Sequence, residues 1–152
     1  MTKDDVAEVI KTHGTERTNL LPVLQDVAAT HRFLTEEDLV RVARAFKISA
    51  AEVYSVASFY SLLETQPRGR FVIRVCRTIS CSMSGKGNIL TKLKEILGID
   101  LGETTPDKRF SLLETNCMGW CAEGPSMLIN DTVYSHLTPE KVVEIIKEYR
   151  ER

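Results

Sequence analysis

The chain has 152 residues and carries 20 Lys and Arg against 21 Asp and Glu, so it has no basic field to draw it onto nucleic-acid phosphates or anionic lipid. Its length suits one compact domain with a small accessory unit. The opening residues carry Asp4, Asp5 and Glu8 where a signal peptide needs basic then apolar residues, and no run approaches membrane-spanning length. A cytoplasmic protein that binds no nucleic acid and does not insert into a membrane is expected.

Up to about Leu63 the apolar residues recur at helical spacing. Val6, Val9 and Ile10 give a first short helix one face before Gly14, and Leu24, Val27 and Ala28 share a face in a second, near Pro22 to His31. Thr35 opens a third helix with Glu36, Glu37 and Asp38 in its first turn and a stripe of Leu39, Val42, Ala43 and Phe46. Ser49 and Glu52 are placed for a capping box that starts a fourth helix through Val53, Val56, Ala57 and Tyr60. Such short helices are expected to bury little unless they pack on something else. They make residues 1–66 an accessory helical unit.

Pro67, Arg68 and Gly69 punctuate the chain, and the period then alternates in Phe71, Ile73 and Val75, marking a strand that ends at Cys76. A loop with Cys81 follows. Lys86 to Leu97 then sets Ile89, Leu90, Leu93, Ile96 and Leu97 on one helical face, and Phe110 to Asn116 reads as the next strand. Ser126 to Ile129 and Thr132 to Tyr134 flank an Asn130-Asp131 turn and predict a hairpin. Thr138 caps a last helix with Pro139 in its first turn and Val142, Val143, Ile145, Ile146 and Tyr149 on its buried side. The order over residues 67–152 resembles a thioredoxin-like α/β fold, preceded by a small helical bundle, although order alone leaves other α/β arrangements open.

The chain has four cysteines in two local pairs, and in a reducing cytoplasm such pairs read more readily as metal ligands than as disulfides. If the strands beginning at Phe71 and Phe110 are parallel, their carboxyl ends share one edge of the sheet, where open α/β sheets bind ligands. Cys76 and Cys81 leave the first strand, and Cys117 and Cys121 leave the second, so the four thiolates can converge. Gly85, Gly87, Gly119 and Gly124 beside them fit an anion-holding backbone. Spacings of Cys-x4-Cys and Cys-x3-Cys leave zinc and a 2Fe-2S cluster both open. Ser84 stands where a plant-type ferredoxin needs its third cysteine, and His13, His31 and His136 lie away from the cysteines a Rieske centre would pair them with. Neither pair has the Cys-x-x-Cys spacing of a dithiol oxidoreductase.

Several segments in one order resemble the 24 kDa subunit family of NADH:quinone oxidoreductase, the thioredoxin-like 2Fe-2S ferredoxins, from about Leu20 onward. They are Leu21-Pro22-Val23-Leu24-Gln25, Ser58-Phe59-Tyr60, Val75-Cys76, Cys81 with Gly85, Gly102 to Asp107, Cys117-Met118-Gly119-Trp120-Cys121 and Ile129-Asn130-Asp131. The resemblance implies one 2Fe-2S cluster on Cys76, Cys81, Cys117 and Cys121. It also implies docking by the helical amino-terminal part onto a larger FMN-containing, NAD(P)H-reactive subunit, with further iron-sulfur subunits, as in complex I-type enzymes and soluble NAD(P)-linked hydrogenases or formate dehydrogenases. Substrate chemistry would then belong to the partner, because this chain shows no acid, base and nucleophile set. A structural zinc assembly module is the alternative. The second loop departs from the family in Ala122-Glu123-Gly124-Pro125 and in Trp120, with no ligand position lost. Trp120 reads as a shield or packing residue, and Phe59 and Tyr60 as core or subunit-contact residues.

Overall fold

The computed structural model describes residues 4–152. Met1 to Lys3, part of the opening that differs from a signal peptide, lie outside the described residues. Chain contacts divide the protein into two compact units, with the division between Pro67 and Arg68. Among the described residues no helix is long and apolar enough to cross a membrane.

The first unit contains α1 (Asp4–His13), α2 (Leu20–His31), α3 (Glu36–Phe46) and α4 (Ala50–Phe59). α2 begins two residues before the expected start, which leaves Pro22 in its first turn, where a missing N–H breaks no helical bond. α4 stops at Phe59, and Tyr60 is extended. The expectation that these helices bury little by themselves does not hold. Val6, Val23, Leu24, Val27, Val42 and Val53 are fully enclosed in a core belonging to this unit, because the helical stripes face one another. Each large apolar side chain so enclosed contributes about 1.5–3 kcal/mol.

Capping also differs from the sequence reading. At Ser49 only half of the box forms: its side chain accepts the Glu52 amide, while the Glu52 carboxylate pairs with Arg17 instead. The complete box lies at Thr35, whose side chain accepts the Asp38 amide while Asp38 accepts the Thr35 amide. Asp38 is buried and also accepts from the Thr35 hydroxyl at 2.7 Å and pairs with His31 Nδ1 at 3.0 Å. Burial pushes its carboxyl up, but the bonds from His31 and Thr35 outweigh that and hold it below the ordinary value.

The second unit contains β1 (Phe71–Cys76), α5 (Ile79–Met83), α6 (Lys86–Leu97), β2 (Phe110–Thr115), β3 (Met127–Ile129), β4 (Thr132–Tyr134) and α7 (Pro139–Glu151). The sheet order is β2-β1-β3-β4. β1 runs parallel to β2, as the crossover through α6 requires, and β3 lies antiparallel to both β1 and β4. Asn130, at φ 52°, makes the hairpin turn, and its side chain accepts the Val72 amide at 2.9 Å. Phe71, Ile73 and Val75 face a core closed by Ile89 and Leu93 of α6 and by Val142 and Ile146 of α7. Ile145 of α7 packs at its margin rather than within it, and Val143 is half-buried.

Cys81 does not lie in an open loop but within α5, a helix of five residues and too short to show an apolar repeat.

Replacing Asp38 with Ala should remove the box and leave the Thr35 amide and His31 without this acceptor, lowering stability by about 1–3 kcal/mol in denaturant unfolding at neutral pH. Because the folded carboxyl lies below its unfolded value, its contribution is complete above the ordinary carboxylate pKa and is lost as pH falls through the lowered folded one. The variant should therefore lose part of the acid sensitivity of the parent, and identical acid unfolding curves would refute the assignment.

Candidate metal centre

Parallel pairing sets the geometry of the site. Cys76 ends β1 opposite Thr115 of β2, so Cys117 leaves the neighbouring strand two residues later at the same edge. The ladder continues past the strands through Arg77 N–H to the Thr115 carbonyl at 2.9 Å, and Arg77 Nε donates to the Asn116 side chain at 3.0 Å. On the other side of β1 the Cys76 amide donates to the Ser126 carbonyl at 3.2 Å.

After Cys76 the chain turns at Thr78 into α5, which folds Cys81 back toward the strand end. Both Cys76 and Cys81 are 1% exposed. In the second segment Gly119, at φ 87°, bends the chain in the left-handed region that glycine adopts without strain, and its N–H donates to Cys117 Sγ at 3.4 Å. Cys121 starts a short helical turn through Glu123, with its Sγ 3.0 Å from that of Cys117. This second pair is exposed.

The two pairs face one another. Gly124 passes so close to the first segment that an added Cβ would lie 3.3 Å from Cys81 Sγ. The Ser126 hydroxyl is 3.6 Å from Cys81 Sγ, and the Thr78 hydroxyl is 3.1 Å from Cys76 Sγ. Burial pushes the Cys76 thiol up, but hydrogen bonds from Thr78, Cys81 and the Met118 backbone outweigh it and leave the thiol below its ordinary value. The Cys121 thiol is raised, first by its bond with Cys117 and then by the charge of Cys117 and, across the site, of Cys76 and Cys81. Segment 135–137 braces the second loop, with the His136 amide on the Glu123 carbonyl at 2.7 Å and the Leu137 amide on that of Pro125 at 3.1 Å.

All four cysteines singled out in the sequence therefore gather at one sheet edge. The glycines do so only in part: the Gly119 N–H donates to Cys117 Sγ and Gly124 passes against Cys81 Sγ, whereas the Gly85 amide donates to the Ser82 carbonyl at 3.3 Å. His13 pairs with Asp26 and His31 with Asp38 within the first unit, whereas His136, expected away from the cysteines, lies against the second loop, its amide on the Glu123 carbonyl at 2.7 Å and its ring 4.0 Å from the Glu123 carboxylate. The sequence reading missed Thr78 and Ser126, for which the sole signal was a hydroxyl near a cysteine. It also missed the exposed Ile79 and Met83, which with Trp120 leave apolar side chains on these segments open to solvent.

The donor set fits a dinuclear cluster. The thiols stand in two local pairs, Cys117 with Cys121 at 3.0 Å and Cys76 hydrogen-bonded with Cys81, and a 2Fe-2S centre takes two protein ligands per iron. An α/β unit whose parallel strand ends gather four thiols has the donor set of a metal-thiolate protein.

A family model described as thioredoxin-like [2Fe-2S] ferredoxin matches residues 6–150. The chain is 32% identical over 148 residues to an NADH-quinone oxidoreductase subunit of Buchnera aphidicola, covering 97% of this chain and 86% of that protein. Against the corresponding NADH-quinone oxidoreductase protein of Escherichia coli it is 42% identical over 109 residues, 72% of this chain and 66% of that one. The crystal structure of an NAD+-reducing [NiFe]-hydrogenase in the H2-reduced state shares the fold with a TM-score of 0.79 at 22% identity, over 91% of this chain and 23% of the hydrogenase chain. The protein belongs to the thioredoxin-like [2Fe-2S] ferredoxin family, and the match begins ahead of Leu20, where the resemblance in motifs starts. Membership makes it a 2Fe-2S electron-transfer protein and gives the zinc alternative no support.

In the reduced, metal-free chain, iodoacetamide should modify Cys117 and Cys121 before Cys76 and Cys81, with Cys121 accelerating only above the ordinary thiol range. Peptide mapping by mass spectrometry reads the order. Equal rates at all four positions would contradict the asymmetric burial.

Proposed function

We propose that this chain is the cluster-bearing subunit of a multi-subunit NAD(P)H-linked flavoprotein oxidoreductase, either a complex I-type NADH dehydrogenase module or a soluble NAD(P)-linked hydrogenase or formate dehydrogenase. The observation that carries it is the gathering of Cys76, Cys81, Cys117 and Cys121 at one sheet edge in a chain of this family. Cys76 and Cys81 hold one side of the cluster and Cys117 and Cys121 the other. When bound, the cluster takes up and releases one electron at a time.

The protein supplies place and environment. Buried Cys76 and Cys81 keep water from the inner side. Exposed Cys117 and Cys121, with Trp120 at 42% exposure between them, leave the outer side within reach of another redox centre. The electron comes from or goes to an FMN-containing, NAD(P)H-reactive subunit, with further iron-sulfur subunits beyond it. The relatives named as subunits of an NADH-quinone oxidoreductase support that partnership. A reducing cytoplasm, where thiols stay free to bind iron, suits such a protein.

The helical unit, residues 1–66 in the sequence reading, supplies docking surface. Its inward stripes are used by its own core, so the docking face is its outer one, where Tyr54, Phe59, Tyr60 and Leu62 are exposed, Phe59 by 80%. Exposed aromatics are enriched where interfaces form.

Anaerobically isolated protein should contain about two iron and two sulfide per chain. Cys76→Ala and Cys117→Ala should each abolish the reduced-state EPR signal of the parent. A colourless native protein with stoichiometric zinc, or an unchanged signal in either variant, would reject the reading.

A chain starting at Arg68 should still fold and load a cluster, since its core is built from its own strands and helices. It should bind the flavoprotein more weakly and be reduced more slowly by NADH in the reconstituted complex. Binding and rates equal to those of the full chain would place docking in the cluster unit.

A further inference from the structure

Among the described N-caps of α-helices, four are serine or threonine: Thr35, Ser49, Thr78 and Thr138. Three accept an amide of their own helix through the side chain, from Asp38, Glu52 and Lys141. Thr78 has the same extended backbone, at φ −74° and ψ 160°, yet its side chain makes no cap bond. Its hydroxyl instead stands 3.1 Å from Cys76 Sγ.

A second hydroxyl is placed in the same way. Ser126 is 2% exposed, its carbonyl accepts the Cys76 amide at 3.2 Å, and its Oγ is 3.6 Å from Cys81 Sγ. The two buried cysteines thus each meet one hydroxyl, one from the segment after β1 and one from the chain before β3. A ligating sulfur is deprotonated and can only accept, so in the loaded protein both hydroxyls must donate.

We propose that Thr78 and Ser126 are positioning residues that set the potential of the site, holding O–H donors on the Cys76 and Cys81 sulfurs. This rests on the reading that the four cysteines hold a 2Fe-2S cluster. On reduction, by reduced flavin in the complex or by dithionite in a titration, a bound cluster would gain one electron, one ferric ion becoming ferrous, with no bond made or broken, and its ligating sulfurs would carry more negative charge. A fixed O–H dipole aimed at a sulfur favours the more negative state, and burial away from water strengthens its effect. Both hydroxyls therefore raise the midpoint potential.

The test compares full-length reconstituted protein with T78V, T78A, S126A, the hydroxyl-keeping T78S, and S82A, which removes a hydroxyl from the exposed side of α5. Dithionite titrations followed by EPR give the midpoints. At the midpoint of the parent, T78V and S126A should each show a reduced-to-oxidised ratio lower by about threefold to tenfold, while T78S and S82A follow the parent. Resonance Raman spectra in D2O should show deuterium-sensitive Fe–S stretches in the parent and a smaller sensitivity in T78V. Should T78V fail to load, T78A and S126A carry the measurement. Parental midpoints and deuterium shifts in variants that retain about two iron per chain would overturn the proposal and leave the cluster reading intact. A parent chain that binds no iron would instead defeat that reading.

Discussion

Everything at the cysteine site depends on the parallel pairing of β1 with β2. Two adjacent parallel strands must end at the same edge, and the twelve residues of α6 supply the crossover that makes such pairing possible. The register then fixes the distance: with Cys76 opposite Thr115, a slip of one residue would send Cys76 to the other face of the sheet. The enclosed side chains of β1 on α6 and α7 are thus also what hold the register, so the hydrophobic core and the cysteine site rest on the same pairing.

Around that edge the loops are held by short polar ties rather than by apolar burial. Arg77 continues the ladder beyond the strands, Ser126 anchors the far side of Cys76, and segment 135–137 supports the chain after Cys121. Such ties allow two cysteines to be exposed without letting their loop drift. Charge plays the complementary role. In the metal-free protein the Cys121 thiol is raised, first by its bond with Cys117 and then by the charge of Cys117.

Much of this arrangement is legible in the residues alone. β1, α6, β2 and α7 announce themselves because alternation and the 3.6-residue period persist over six to thirteen residues, and the four cysteines follow from the strand ends. α5 escapes because five residues hold no repeat. The core of the first unit is misjudged for a different reason: an apolar stripe on a helix reveals that a partner exists but not which one, and here the partners are the sibling helices. The Ser49 box fails because Arg17, 35 residues away in sequence, competes for Glu52. Thr78 looks like an ordinary cap, since whether its hydroxyl turns to an amide or a sulfur is decided by how two loops meet in space.

The unequal exposure of the cysteine pairs carries a liability. An outward sulfur shortens the path for an electron, yet it also meets dissolved oxygen and peroxide first, and in the unloaded chain Cys117 and Cys121 stand 3.0 Å apart on the exposed side of the site. Thiols so placed are where oxidation begins. Damage to the unloaded chain would therefore start at Cys117 and Cys121, and a redox partner seated over them would serve as armour as well.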